Sequence, residues 1–114
     1  ETSAPAVATL RGNAALLADA GGEVRIFRQD ARIALPALAR AGESGDLVYL
    51  DPPYESDLYE PLLLACGGPL LAAEGLVVAE HFHKRALPET IGLLRTVREV
   101  RVGDHRLSFY ERNE

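Results

Sequence analysis

The apolar positions fall into short blocks whose spacing changes along the chain. Residues 4–20 are rich in Ala and Leu, with Val7, Leu10 and Leu17 at helical spacing and Gly21-Gly22 behind them, a pattern that predicts a helix and its end. Residues 24–28 (Val-Arg-Ile-Phe-Arg) read as a strand. Asp30 is a candidate N-cap for a helix over 31–41 that turns Leu35 and Leu38 inward, with Pro36 counting against it. After a loop at Gly42 to Gly45, Leu47-Val48-Tyr49-Leu50 forms the unbroken apolar run of a buried parallel strand and stops at Asp51-Pro52-Pro53. Residues 57–71 predict a helix with Leu58, Leu62 and Ala65 along one side, and residues 75–80 a second continuous apolar strand. Leu87, Ile91 and Leu94 predict a helix with Pro88 in its first turn. Residues 97–102 and 107–110, either side of Gly103-Asp104-His105-Arg106, predict a hairpin.

Alternating helices and strands imply a mostly parallel sheet with helices on both faces, and the closing hairpin makes it mixed. In such sheets the ligand site lies at the carboxyl ends of the strands, where Asp51 falls. The 114 residues suffice for one domain, spanning 1–114, and almost half are apolar, enough for a core. No run of about 18 apolar residues and no charged-then-apolar leader is present, so a soluble, cytoplasmic protein is the simplest expectation. Cys66 stands alone, which excludes an internal disulfide and a cysteine metal cluster, and it is expected as a small buried residue within a helix. The net charge of −5 argues against a nucleic-acid coat. The charge is uneven, however: residues 1–80 carry five basic and twelve acidic side chains, residues 81–114 seven and five. A local basic face near the carboxy terminus, with Lys84, Arg85, Arg95, Arg98, Arg101 and Arg106, is therefore a candidate phosphate contact, against the plainer reading of a solvated surface.

The chemistry concentrates at Asp51-Pro52-Pro53-Tyr54. Two consecutive prolines fix φ and remove two N–H donors, so the corner is rigid and offers only acceptors. Asp51 adds a carboxylate and Tyr54 a flat ring. An acceptor-lined slot with a stacking platform suits the exocyclic amine of a nucleobase, which donates two hydrogen bonds while its ring stacks. Those bonds return electron density to a delocalised nitrogen and stabilise the positive charge that grows on it during attack. With a sulfonium methyl as electrophile the reaction needs no metal, and in-line placement provides most of the rate. The competing reading is a plain Asp-Pro turn; the strand before it and the helix after it favour the site.

The stretch Leu47 to Tyr54 resembles motif IV of amino-methylating methyltransferases, and the chain as a whole resembles the RsmD family. Gly75 to His81 is similar to that family's fifth strand with its Glu-His end, Gly103-Asp104 with Leu107 to Tyr110 to its closing hairpin, Gln29-Asp30-Ala31 to its third-strand ending, and Glu1 followed by Asn13 to its second-strand acidic motif. The resemblance implies an S-adenosylmethionine-dependent transfer to the exocyclic N2 of a guanine in small-subunit (16S) ribosomal RNA, with free RNA or an assembly intermediate as partner. It implies that Glu1 binds the cofactor ribose, that Asp30 and the Ala31 backbone hold the adenine, that Asp51 and the Pro52 carbonyl grip the amine, and that Tyr54 stacks on the base; Pro53 completes the motif and Asp51 also borders the cofactor. Plainer roles compete: a terminal residue for Glu1, a helix cap for Asp30. The family's first strand, its glycine-rich loop and most of its second strand have no counterpart here. The implied Rossmann-like sheet therefore has a gap between the strands of Phe27 and Leu50, which a partner chain would complete.

Two other readings stay open: a DNA adenine-N6 methyltransferase, since Asp-Pro-Pro-Tyr occurs there too, and an inactive fragment that binds the cofactor poorly. His81 and His83 alternate at a strand end, but two histidines without a third ligand make a metal a weak prospect, so none is expected and His81 reads as a pocket or packing residue. Asp104, His105 and Ser108 share one hairpin and suggest no triad.

Overall fold

The computed structural model describes residues 1–53 and 56–113. Five strands form one mixed sheet in the order β1-β2-β5-β4-β3: β1 (Gly45–Leu50), β2 (Leu71–Phe82), β3 (Thr90–Ile91), β4 (Leu94–Val102) and β5 (His105–Arg112). β1 and β2 run parallel, and β2–β5, β5–β4 and β4–β3 are antiparallel. The parallel pair and the closing hairpin are those the apolar runs predicted, with β2 and both hairpin strands longer than the runs themselves.

Three helices accompany the sheet: α1 (Ala4–Leu16), α2 (Ala31–Arg40) and α3 (Tyr59–Cys66). Ser3 caps α1 through a 3.4 Å bond from the Ala6 amide, with Pro in the first turn. α1 ends at Leu16, short of the expected Ala20, and a 3-10 turn at Ala18–Ala20 leads into Gly21 and Gly22, both at φ 82°. Asp30 caps α2 at 2.8 Å from the Arg32 amide, and the helix continues through Pro36. Leu62, Leu63 and Cys66 of α3 pack onto Leu50, Val77, Ala79, Leu94 and Tyr110, with Leu35 and Leu38 of α2 at the margin. Cys66 is buried as expected, and burial pushes its thiol up to about 11, so it stays protonated.

Two expected elements are corrected. Residues 24–28 form no strand, and none of them joins a ladder. The backbone contact recorded there is at the far end, where the Glu1 ammonium donates to the carbonyls of Phe27 (3.3 Å) and Gln29 (3.2 Å), and Val24 stays 61 % exposed. Strand composition is not enough without a neighbour to pair with. The expected helix through Leu87, Ile91 and Leu94 is instead the β3–β4 hairpin. Gly92 takes φ 56°, the left-handed geometry of a two-residue turn with glycine first, and reverses the chain between Ile91 and Leu94. Spacings of four and three suited a helix, but this glycine and the β-branched Thr90, Ile91, Thr96 and Val97 favour a strand pair.

Strand alternation then sorts side chains onto two faces. Val77, Ala79 and His81 of β2 and Ser108 and Tyr110 of β5 lie under the helices and are buried. Val78 and Glu80, paired with Phe109 and Leu107, lie on the opposite face with Leu47 and Tyr49 of β1, which are 62 % and 54 % exposed.

Candidate active site

The parallel register pairs Leu50 with Ala79, so the chain leaves β1 at Asp51 beside Glu80. This is the carboxyl end of two adjacent parallel strands, where open α/β sheets bind ligands. Asp51 and Pro53 are exposed and Pro52 is half-buried, so the acceptor corner faces solvent. The Pro53 carbonyl accepts from the Ser56 amide at 3.0 Å. Tyr59, the first residue of α3 and fully buried, donates its hydroxyl to the Glu80 carbonyl at 2.7 Å and lies 3.4 Å from the Pro52 carbonyl. One phenol thus ties the proline corner to the end of β2. A carbonyl has two lone pairs, so Pro52 keeps capacity for a second donor.

A polar cluster surrounds Asp51. The Tyr49 hydroxyl donates to Glu80 Oε1 at 2.7 Å, and His105 Nδ1 stands 3.4 Å from Glu80 Oε2. The register that pairs Leu50 with Ala79 sets Asp51 next to Glu80. The Asp51 carboxyl titrates above the usual carboxylate range: loss of surrounding solvent is the first cause and the neighbouring charge of Glu80 follows, with His105 pulling the other way. The bond to Glu80 pushes Tyr49 up to about 12, so it remains a donor at neutral pH. Sequence reasoning singled out Asp51 and the two prolines, which the structure places together at this strand end. It gave no role here to Tyr49, Tyr59, Glu80 or His105. The available signal was a carboxylate ending an apolar strand. Tyr54, the expected stacking ring, lies outside the described residues.

Of the expected cofactor residues, Glu1 and Asp30 come close together. Glu1 sits beside the carbonyls of Phe27 and Gln29, and its carboxylate accepts from the amides of Thr2 and Ser3, both at 2.9 Å, which lowers its pKa. Asp30 accepts from Arg32 Nη2 at 2.7 Å and from the Arg32 amide at 2.8 Å, and these bonds hold it down to about 2. Ala31 follows as the first residue of α2. Both carboxylates are ionised acceptors with oxygen lone pairs to spare, which matches the hydroxyls of a ribose. A cleft of about 670 Å³ lies between the segment of Glu23, Arg25 and Phe27 and the β1 edge at Leu47 and Tyr49. This is the gap the resemblance implied, and the radius of gyration of 14.7 Å exceeds the roughly 13 Å of a close-packed chain this long.

The histidines separate. His81 is buried, with Nε2 2.7 Å from Ser108 Oγ and its ring edge-on to Tyr59, and burial lowers its pKa, which keeps it neutral. His83 Nδ1 lies 3.0 Å from the Asp104 carbonyl. The basic residues do not form one face. Arg85 lies over the Tyr59 ring at 4.7 Å, close to the site, and Lys84 beside it is exposed. Arg98 covers Phe109 at 5.8 Å on the open face, whereas Arg106, level with His81, meets Glu99 at 3.6 Å. No helix among the described residues is long and apolar enough to cross a membrane.

A mixed sheet with an Asp-Pro-Pro corner at its parallel strand ends defines a Rossmann-like domain of the methyltransferase type. The family model described as "Conserved hypothetical protein 95" matches residues 1–111, and the chain belongs to this family, the RsmD family of the resemblance. It is 32 % identical over 108 residues to "Putative rRNA methyltransferase YlbH" of Bacillus subtilis (strain 168), covering 94 % of this chain and 58 % of that protein. Among solved structures, a conserved hypothetical protein of Streptococcus pyogenes matches with a TM-score of 0.84 at 27 % identity, over 100 % of this chain and 69 % of the other. "Putative methyltransferase yhhF" of Escherichia coli matches with a TM-score of 0.72 at 25 % identity, over 98 % and 59 %. The chain therefore spans less than two thirds of the curated relative's length.

Proposed function

We propose that this chain forms the catalytic corner of a cytoplasmic, S-adenosylmethionine-dependent enzyme that methylates the exocyclic N2 of a guanine in small-subunit ribosomal RNA. The observation that carries the reading is the exposed Asp51 carboxylate at the end of β1, beside the rigid Pro52 carbonyl. Asp51 and the Pro52 carbonyl accept the two amine hydrogens and turn the nitrogen lone pair outward. Pro53 keeps the backbone free of competing donors, and Tyr54 is assigned the stacking role. Glu1 accepts from the ribose hydroxyls, and Asp30 with the Ala31 amide borders the adenine. The bound cofactor supplies an electrophilic methyl group on sulfur; the chain's own part is to hold the amine in line and stabilise its growing charge. An added strand in the 670 Å³ cleft, from a partner chain or from elsewhere in the same protein, would bring the two sets of residues together around that methyl group. The name of the B. subtilis relative supports ribosomal RNA as substrate.

The test incubates the full-length protein and labelled S-adenosylmethionine with small-subunit RNA and with duplex DNA, then digests both to nucleosides. N2-methylguanosine from the RNA is the expected product. N6-methyladenosine from the DNA would replace this reading with the adenine one, and no product from either, together with no calorimetric heat of cofactor binding, would mark an inactive remnant.

A further inference from the structure

The carboxylate of Glu80 is held from two sides and has no part in the roles assigned above. Tyr49 from β1 donates to one oxygen at 2.7 Å, and His105 from β5 stands 3.4 Å from the other. Its backbone is fixed as well, because the Tyr59 hydroxyl donates to the Glu80 carbonyl. The side chain is one-quarter exposed and borders a small cavity of about 240 Å³ walled by Val102 of β4 and Leu107 of β5, neither of them charged. The titratable groups facing it among the described residues are thus Tyr49, His105 and Asp51. A carboxylate so firmly placed, against apolar walls, and set by the strand register beside the residue at the centre of the site, acts on that residue.

We propose that Glu80 is a positioning residue that makes Asp51 the proton acceptor of the site by presenting a second, clamped carboxylate to it. The inference rests on the methyl-transfer reading and deepens it. During transfer the amine nitrogen uses its lone pair to form the new N–C bond, the C–S bond breaks, and its electrons remain on sulfur as a neutral sulfide. The nitrogen then carries a positive charge and must lose one of its two protons. Asp51, already hydrogen-bonded to that amine, takes the proton and later yields it to water. A carboxylate facing a second negative charge binds a proton more tightly than an isolated one, which suits this task. The raised pKa of Asp51 agrees in direction. Tyr49 stays protonated and holds Glu80 without competing for the proton.

Two measurements test this separately from the overall function. Carbon-13 NMR of the side-chain carboxyls in this chain follows Asp51 with pH. In the unaltered protein its midpoint is expected above the ordinary carboxylate value. In Glu80→Gln, which keeps the size and leaves the Tyr59 bond to the backbone, the Asp51 midpoint should move to lower pH. An ordinary midpoint in the unaltered protein, or an unchanged midpoint in Glu80→Gln, overturns the proposal. In the full-length enzyme, Glu80→Gln should lower kcat roughly tenfold and shift the acidic limb of the rate profile to lower pH, with the KM for S-adenosylmethionine unchanged. A rate loss with the limb in place would mean a structural role and overturns it too. Absence of transfer by the unaltered enzyme would overturn the function and leave the carboxyl pair to the NMR result.

Discussion

Glu80 and His81 are adjacent on β2, and the sheet sends them to opposite faces. His81 goes under the helices, where it is 1 % exposed, neutral, and satisfied by Ser108. Glu80 goes to the open face, where it meets Tyr49, His105 and Asp51. Both are polar residues at the end of an apolar strand, and sequence alone treats them alike. Burial with a partner on each ring nitrogen, Ser108 Oγ and the Phe82 carbonyl, makes His81 part of the scaffold, since an unpaired polar atom there would cost stability. Partial exposure beside a like charge makes Glu80 and Asp51 the candidate site, because a site must hold charge that the fold would rather not have.

The widest separation between the faces is expected at Asp51 itself. Asp51→Ala should lower methyl transfer by the full-length enzyme by about 10²-fold or more while leaving the cofactor dissociation constant in place, measured by single turnover and calorimetry. Near-normal turnover would remove the site from this face. Next comes Tyr59→Phe, which joins the two regions. Losing the hydroxyl takes a hydrogen bond from the part-buried Glu80 carbonyl and frees Pro52, so unfolding should become easier by about 1 kcal/mol in urea and transfer should slow as well. A variant that changes one readout and not the other would show that Tyr59 serves only one face.

The smallest expected effect is a pH dependence of stability from the covered face. Burial lowers the affinity of folded His81 for a proton, so below the ordinary imidazole range the unfolded chain binds the proton that the folded chain refuses. Stability should therefore fall as pH drops through that range towards the lowered folded value, seen as a lower urea midpoint at about pH 5.5 than at about pH 7.5. His81→Gln should flatten that difference. An equal slope in the variant would place the titrating group elsewhere.

Local patterns in the sequence were legible where local forces decide. The Asp30 cap, the β1 run ending at Asp51, the buried Cys66 in its helix and the closing hairpin at Gly103-Asp104 each depend on a few consecutive residues. Residues 24–28 and 87–94 were misread because pairing, or one glycine at φ 56°, overrides composition. The cluster at Glu80 was out of reach for a further reason. Tyr49 lies 31 residues before it in sequence, and only the parallel pairing of β1 with β2 brings them together.

The claim that one face carries the chemistry and the other the structure is tested most directly by Asp51→Asn and Ser108→Ala, each measured for urea midpoint and for single-turnover methyl transfer in the full-length enzyme. Ionised Asp51 opposes folding above its ordinary titration range, so its neutral amide should raise the midpoint slightly, by less than about 1 kcal/mol at this solvent-screened position, while transfer collapses. Ser108→Ala leaves His81 Nε2 without its partner and should lower stability by about 1–3 kcal/mol, with the folded enzyme still transferring at close to its full rate. If Ser108→Ala slows transfer as severely as Asp51→Asn, or Asp51→Asn destabilises the fold, the division between the two faces is contradicted.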